Sequence, residues 1–210
     1  KESPGMLKTM FSTHPMSGER RDTAKQMAET KYAASNGRDK GRERFMDSTA
    51  SLRRIKPTIV ACQKGEVAMA RKDYARAEES FRSAIKATPR DYAANLLMAK
   101  CLSAQDKDAP ALEYARTASG IYPQEAQAQK LVGVLALAQK EPATAYEHLD
   151  RYDRLMPGDA GVTFLKGVSL EGMGRKQEAA NHYAAYLKRT QKGQAAEYAY
   201  SRLQGWGYVK

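Results

Sequence analysis

The side chains most often recruited for metal and acid–base chemistry are scarce in this sequence. Its 210 residues include three histidines, His14, His148 and His182, and two cysteines, Cys62 and Cys101. A zinc site needs three or four such ligands close together, usually with pairs a few residues apart as in CxxC or HExxH. The cysteines stand 39 residues apart (101−62) with no neighbouring histidine. They read as buried packing residues, and a disulfide between neighbouring helices stays open on sequence alone. His148 and His182 are separated by 34 residues (182−148) and read as members of a solvated polar helix face. No metal ligand set is assigned to the chain.

The interval of 34 is general. Gly65, Ala99, Gly133 and Gly167 follow one another at it (99−65, 133−99, 167−133), as do Ala77, Ala111, Ala145 and Ala179, and Pro89, Pro123 and Pro157. Two further ladders, Ala68, Leu102, Ala136, Leu170 and Phe81, Ala115, Leu149, Tyr183, keep the register with apolar side chains of varying size. A period of this length marks stacked supersecondary units. A glycine inside a helix costs about 1 kcal/mol relative to alanine, so the ladder at Gly65 needs an offset. Close approach of the second helix of the same unit supplies it, with the Ala77 ladder as the matching small surface. Proline has no N–H to continue a helix, so it marks the turn into the next unit. The spacing predicts helix pairs over 58–71 with 74–87, 92–105 with 108–121, 126–139 with 142–155, and 160–173 with 176–189. Gln191 stands where a fourth proline would fall, and the helical stretch Gln194 to Leu203, with Trp206 and Tyr208 after it, reads as a cap over the last apolar face.

These ladders resemble the tetratricopeptide repeat family over residues 58–191. The resemblance implies an all-α, right-handed superhelical solenoid of four helix-turn-helix repeats, closed by a capping helix and tail over 192–210. It also implies that the first helices line a concave groove for a protein or peptide partner. By register the groove would present Ile59, Cys62, Glu66 and Met69 from the first repeat and Leu96, Lys100 and Ser103 from the second. The third would add Gln127, Lys130, Val134 and Leu137, and the fourth Phe164, Val168 and Glu171. Packing between repeats is the competing role for each. Members that clamp a peptide's C-terminal carboxylate carry Lys and Asn where Cys62 and Glu66 stand here, so a chaperone-tail clamp is not expected.

Lysine and arginine outnumber aspartate and glutamate by 35 to 24, with a surplus of +6 in residues 1–57 (13 basic, 7 acidic) and +5 in the rest (22 and 17). The basic residues are dispersed and not interleaved with exposed aromatics, so a solvated surface is expected and a nucleic-acid partner is not. The most apolar run, Leu131 to Ala138, has eight residues, against the roughly 20 of a membrane-spanning helix.

Residues 1–57 lack the period, and two or more helices are expected there. One run, with Ala24, Met27, Ala28 and Tyr32 at helical spacing, follows the candidate N-cap Ser17 and stops near Ser35, Asn36 and Gly37. Beyond the charged stretch Arg38 to Arg44, a second run with Phe45, Thr49, Leu52 and Ile55 is expected to end before Pro57.

The string from Phe11 to Arg20, Phe-Ser-Thr-His-Pro-Met-Ser-Gly-Glu-Arg, resembles the Thr-His-Pro element near the end of the catalytic domain in HtpX-type and BepA-like zinc metallopeptidases. In periplasmic members of that family a tetratricopeptide array follows this element. The resemblance implies that residues 1–57 are a remnant of a metallopeptidase domain with its connector, and that the start at Lys1 lies inside a longer protein. That parent would be a zinc-dependent metalloendopeptidase of the periplasm or cell envelope, active in protein quality control, with HExxH and zinc upstream. His14 is then a candidate contact to zinc or substrate in the parent; Thr13, His14 and Pro15 equally read as the opening turn of the next helix. The alternative is a stand-alone adaptor or scaffold with no catalytic parent. Without a ligand pair, the purified chain is expected to hold no stoichiometric zinc after dialysis. Elemental analysis that found one tightly bound zinc per chain would reveal a site the sequence conceals.

Overall fold

The structure is a computed structural model that describes residues 17–35 and 41–209. Residues 11–16, including His14 and its Thr-His-Pro string, lie outside the described residues. The chain divides after Ser51 into two compact units. The first holds α1 (Ser17–Glu29), a 3-10 turn (Ala33–Ser35) and α2 (Arg42–Ser48). Met27, Tyr32, Phe45 and Met46 are all exposed, so the apolar spacing of α1 forms a helix but no core among the described residues.

The second unit contains the repeats. Its helices are α3 (Ala50–Ala70), α4 (Tyr74–Ala87), α5 (Tyr92–Ser103), α6 (Asp108–Ile121), α7 (Ala126–Ala138), α8 (Pro142–Leu155), α9 (Ala160–Gly172), α10 (Lys176–Leu187) and α11 (Gln194–Gly205). No strand occurs among the described residues. The architecture is an all-α solenoid in which each helix packs on the next, and α5 also touches α7 as α7 touches α9. Second helices begin at 74, 108, 142 and 176, and first helices after the first repeat begin at 92, 126, 160 and 194, every step being 34 residues.

The expected break at Pro57 is absent. α3 runs unbroken from Ala50 through Pro57 to Ala70, and the interruption falls at Thr49, whose backbone leaves the helical region (φ −103°, ψ 6°) while its Oγ1 and N–H both bond Phe45 O. A proline within a helix loses one rung of the ladder. Buried Thr58, whose Oγ1 lies 2.7 Å from Thr88 Oγ1, anchors this part of α3 to the turn after α4.

The close approach inferred for the glycine ladder is present, with a different partner. A Cβ on Gly65 would sit 2.3 Å from Phe81 Cε1, one on Gly133 2.6 Å from Leu149 Cγ, and one on Gly167 2.7 Å from Tyr183 Cε1. Each glycine therefore receives the large side chain of its own second helix, and at Gly133 the carbonyl of Ala145, a member of the Ala77 ladder, also lies 3.3 Å from the Cβ position. In the second repeat the same two positions are Ala99 and Ala115, both fully buried.

The turns repeat too. Lys72, Asp106, Lys140 and Gly174, spaced by 34, take left-handed backbone with φ of 59°, 58°, 60° and 75°. Beyond each, the N–H of Asp73, Lys107, Glu141 and Arg175 reaches back to the carbonyl of Ala68, Leu102, Ala136 and Leu170 at 2.8–3.0 Å, a Schellman closure. Between repeats, Thr88, Tyr122 and Met156 are extended ahead of their prolines (φ −142°, −134° and −137°), as a residue before proline prefers. Asp91 and Asp159 then cap the next helix through Ala94 N (2.8 Å) and Val162 N (3.2 Å).

Gly133→Ala is expected to destabilise the array by about 1–3 kcal/mol through overpacking on Leu149. In a Leu149→Ala background the same change should be neutral or stabilising, since the added methyl then meets a cavity and alanine is the better helix former. Urea unfolding of the four chains measures this; equal effects in both backgrounds would dissociate the glycine from Leu149.

Candidate functional site

Two adjoining cavities lie along the first helices. The first, about 430 Å³, is bounded on α3 by Thr58, Ile59, Cys62, Gln63 and Glu66, and on the second repeat by Asp91, Tyr92, Ala93, Leu96, Leu97 and Lys100, with Gln127 at its far edge. The second, about 500 Å³, is lined by Lys100, Gln127, Lys130, Leu131, Val134, Tyr152 and Met156. Lys100 and Gln127 belong to both, so the cavities form one groove across the first three repeats. First helices expose this face because their neighbours on the other sides are their own second helix and the one before.

Of the residues placed in the groove by register, the structure brings together Ile59, Cys62, Glu66, Leu96, Lys100, Gln127, Lys130 and Val134. Cys62 and Leu96 form buried floor. Met69 and Leu137 pack against the core instead, and the carbonyl of Ser103 accepts from Asp106 N in the turn after α5. Tyr152 and Met156 are groove residues that register reasoning on first helices does not reach.

Phe164, Val168 and Glu171 lie beneath the cap. α11 occupies the place of a fifth first helix and buries Ala196, Ala199 and Leu203 against Leu170, Tyr183 and Tyr186, with Phe164, Val168 and Trp206 alongside. Phe164 packs on Tyr183, Tyr186 and Tyr198 at ring-centre distances of 5.7, 5.2 and 6.0 Å. Glu171 accepts hydrogen bonds from Tyr183 Oη (2.7 Å) and Tyr198 Oη (3.2 Å) and pairs with Arg202. Burial, reinforced by Glu171, pushes the Tyr183 phenol far above its ordinary range.

Charge is unevenly distributed along the groove. Lys130 Nζ lies 2.6 Å from Asp159 Oδ2 and 5.2 Å from the centre of the Tyr152 ring, and Tyr152 Oη donates to the same carboxylate at 3.3 Å. Lys130, first among several partners, holds Asp159 below the usual carboxylate range. Lys100 Nζ donates to the neutral Gln127 Oε1 at 3.1 Å. Burial, then the charges of Asp91 and Glu66, pushes the Cys62 thiol up to about 11, and burial likewise raises Cys101. Both cysteines are free thiols, and protonated ones are poor nucleophiles.

The two repeat histidines do not sit on a solvated face. His148 Nδ1 donates to Oε1 of buried Gln129 at 2.7 Å, and half-buried His182 stands edge-on to Tyr146 at 6.5 Å. Burial, aided by Arg151 near His148 and Lys166 near His182, holds both imidazoles below their ordinary 6.5. Among the described residues, no three His, Cys, Asp or Glu side chains are grouped to hold a metal, and no helix is long and apolar enough to cross a membrane.

Fold and groove together define a helical-repeat solenoid with an inner groove. Residues 68–135 match the tetratricopeptide repeat family model, so that stretch carries tetratricopeptide repeats. A crystal structure of MamA protein is similar at 18% identity and TM-score 0.64, over 71% of this chain and 84% of that one. YrrB, described as a tetratricopeptide repeat protein with an unusual peptide-binding site, aligns at 15% identity and TM-score 0.64 over 76% and 84%. The first such domain of Spaghetti (RPAP3), bound to the HSP90 peptide SRMEEVD, aligns at 17% identity and TM-score 0.54 over 57% and 94%. These likenesses establish the fold. No curated protein matches the chain by sequence.

Glu171→Ala is expected to weaken cap docking by about 1–3 kcal/mol, since two phenols and a guanidinium lose their shared acceptor. The single tryptophan, Trp206, stacks on Tyr183 at 6.1 Å. A red shift of its emission together with a lower first melting transition would report loosening of α11; unchanged fluorescence would mean that apolar packing alone holds the cap.

Proposed function

We propose that this chain is a protein-interaction module whose inner groove, on repeats one to three, binds an extended peptide segment of a partner. The supporting observation is the pair of cavities joined at Lys100 and Gln127, where Val134 and Met156 expose apolar surface beside polar groups. Grooves that combine an apolar floor with a few convergent polar groups are characteristic of binding sites. YrrB and the Spaghetti domain, both similar in fold, are described with peptide sites or peptides, which is consistent with this role.

The stand-alone adaptor or scaffold is therefore the first reading. A zinc metallopeptidase parent, with its cell-envelope address, is second and has one support, the resemblance of the Phe11 to Arg20 string. It requires an HExxH in the reading frame upstream.

Random dodecapeptides displayed on phage and selected on the immobilised protein should yield groove-directed binders of micromolar affinity. Val134→Asp should weaken them at least tenfold with helicity unchanged, because the side chain is 40% exposed in the free protein and a charge there disrupts only the bound state. Ser83→Asp on the exposed face of α4 should have no effect. Binders indifferent to Val134→Asp would move the site off the inner face.

A further inference from the structure

The charges that line the groove are not interchangeable from one end to the other. In the cavity of the first two repeats Glu66 and Asp91 are the acidic groups, and Lys100 at the far edge is the sole cation among the lining residues. Asp91 uses Oδ1 to cap α5 but keeps its negative charge. Glu66 is exposed and no cation is paired with it among the described residues. At the centre, Lys100 faces a neutral amide, whereas Lys130 is already neutralised by Asp159. Beyond Lys100 the lining becomes apolar, through Leu131, Val134 and Met156.

We infer that the groove selects an extended partner segment carrying a basic side chain at the first repeat, an acidic side chain at Lys100 and an aliphatic anchor at the third repeat. This inference deepens the peptide-binding reading and rests on it. Glu66, Lys100 and Val134 stand at the 34-residue interval on successive first helices, so the three features should follow one another along the segment in repeat order. Glu66 and Asp91 would repel an acidic segment in the first cavity, which gives the groove a repulsive as well as an attractive basis for discrimination.

The peptides recovered from the random dodecapeptide library, labelled with fluorescein, provide the probe. Fluorescence polarisation should show a basic, acidic and aliphatic residue in that order in either chain direction, and binding should weaken between low and high salt. Glu66→Lys should reduce affinity about tenfold and be rescued when the peptide's basic residue is changed to Glu. Lys100→Glu should act likewise on the acidic position, with Lys as the rescuing residue. Peptides that lose binding on Val134→Asp but carry only acidic charge, or that ignore both charge reversals, would overturn this selectivity while leaving the groove as a peptide site. Peptides insensitive to Val134→Asp would overturn both.

Discussion

The separation of the two helices within each repeat is the constraint on which the array depends. At Gly65, Gly133 and Gly167 no side chain fits, because Phe81, Leu149 and Tyr183 occupy the space a Cβ would need. Volume is exchanged across the pair: glycine faces a large side chain in three repeats, and alanine is matched with alanine at Ala99 and Ala115. The cost of helical glycine, about 1 kcal/mol, is offset by the burial of Phe81, Leu149 or Tyr183, each worth about 1.5–3 kcal/mol in apolar transfer. Since units of a solenoid contact mainly their neighbours, this local contact sets the position of each first helix and thereby the shape of the groove.

Apart from the start of α3, expected at 58 and found at Ala50, the 34-residue ladders made the repeat helices legible to within a few residues, since the proline and small-residue positions carry constraints that few residue types satisfy. The intra-repeat turns were not legible. Their left-handed residue is glycine only at Gly174; at Lys72, Asp106 and Lys140 an ordinary L-residue takes the same backbone at a cost of about 1–2 kcal/mol. The Schellman hydrogen bond and the packing on either side hold it there. Pro57 misled for a related reason. A proline is a strong helix breaker only where nothing fixes the helix on both sides, and Thr58 is tied to Thr88 directly after it.

Register brings Ile59, Cys62, Glu66, Leu96, Lys100, Gln127, Lys130 and Val134 to the groove lining, but not Met69 or Ser103, which meet the core and a turn. Tyr152 was not reached by that reasoning, because it lies on a second helix in the ladder Ala84, Ala118, Tyr152, Tyr186, whose members are all buried, and Met156 lies in a turn. The histidines were assigned to solvent because a polar residue on a second helix has no sequence mark that separates an exposed position from one beside Gln129 or Tyr146. In the fourth repeat the cap expected over Gln194 to Leu203 starts at the repeat interval, since Gln194 follows Ala160 by 34 residues. A helix starting there takes the place of a further first helix and covers Phe164, Val168 and Glu171.

That half-repeat also explains why the groove ends where it does. A first helix without its second partner must cover its own apolar side, which Trp206 and Val209 do, while Glu171 is committed to Tyr183, Tyr198 and Arg202. The preceding junction is similarly committed. Lys166 is buried between Asp150 (2.8 Å) and Asp153 (3.0 Å), and although burial opposes its charge the two carboxylates hold the ammonium above its ordinary range. Lys130 and Asp159 neutralise one another beside it. Removing a carboxylate partner of buried Lys166 leaves a desolvated charge without compensation, so that set is fixed by the fold. Towards the first repeat the demand relaxes: Glu66 and Lys100 lie on first helices without opposite charges to satisfy. The division of charge between structural pairs at one end and open groups at the other gives the groove its polarity.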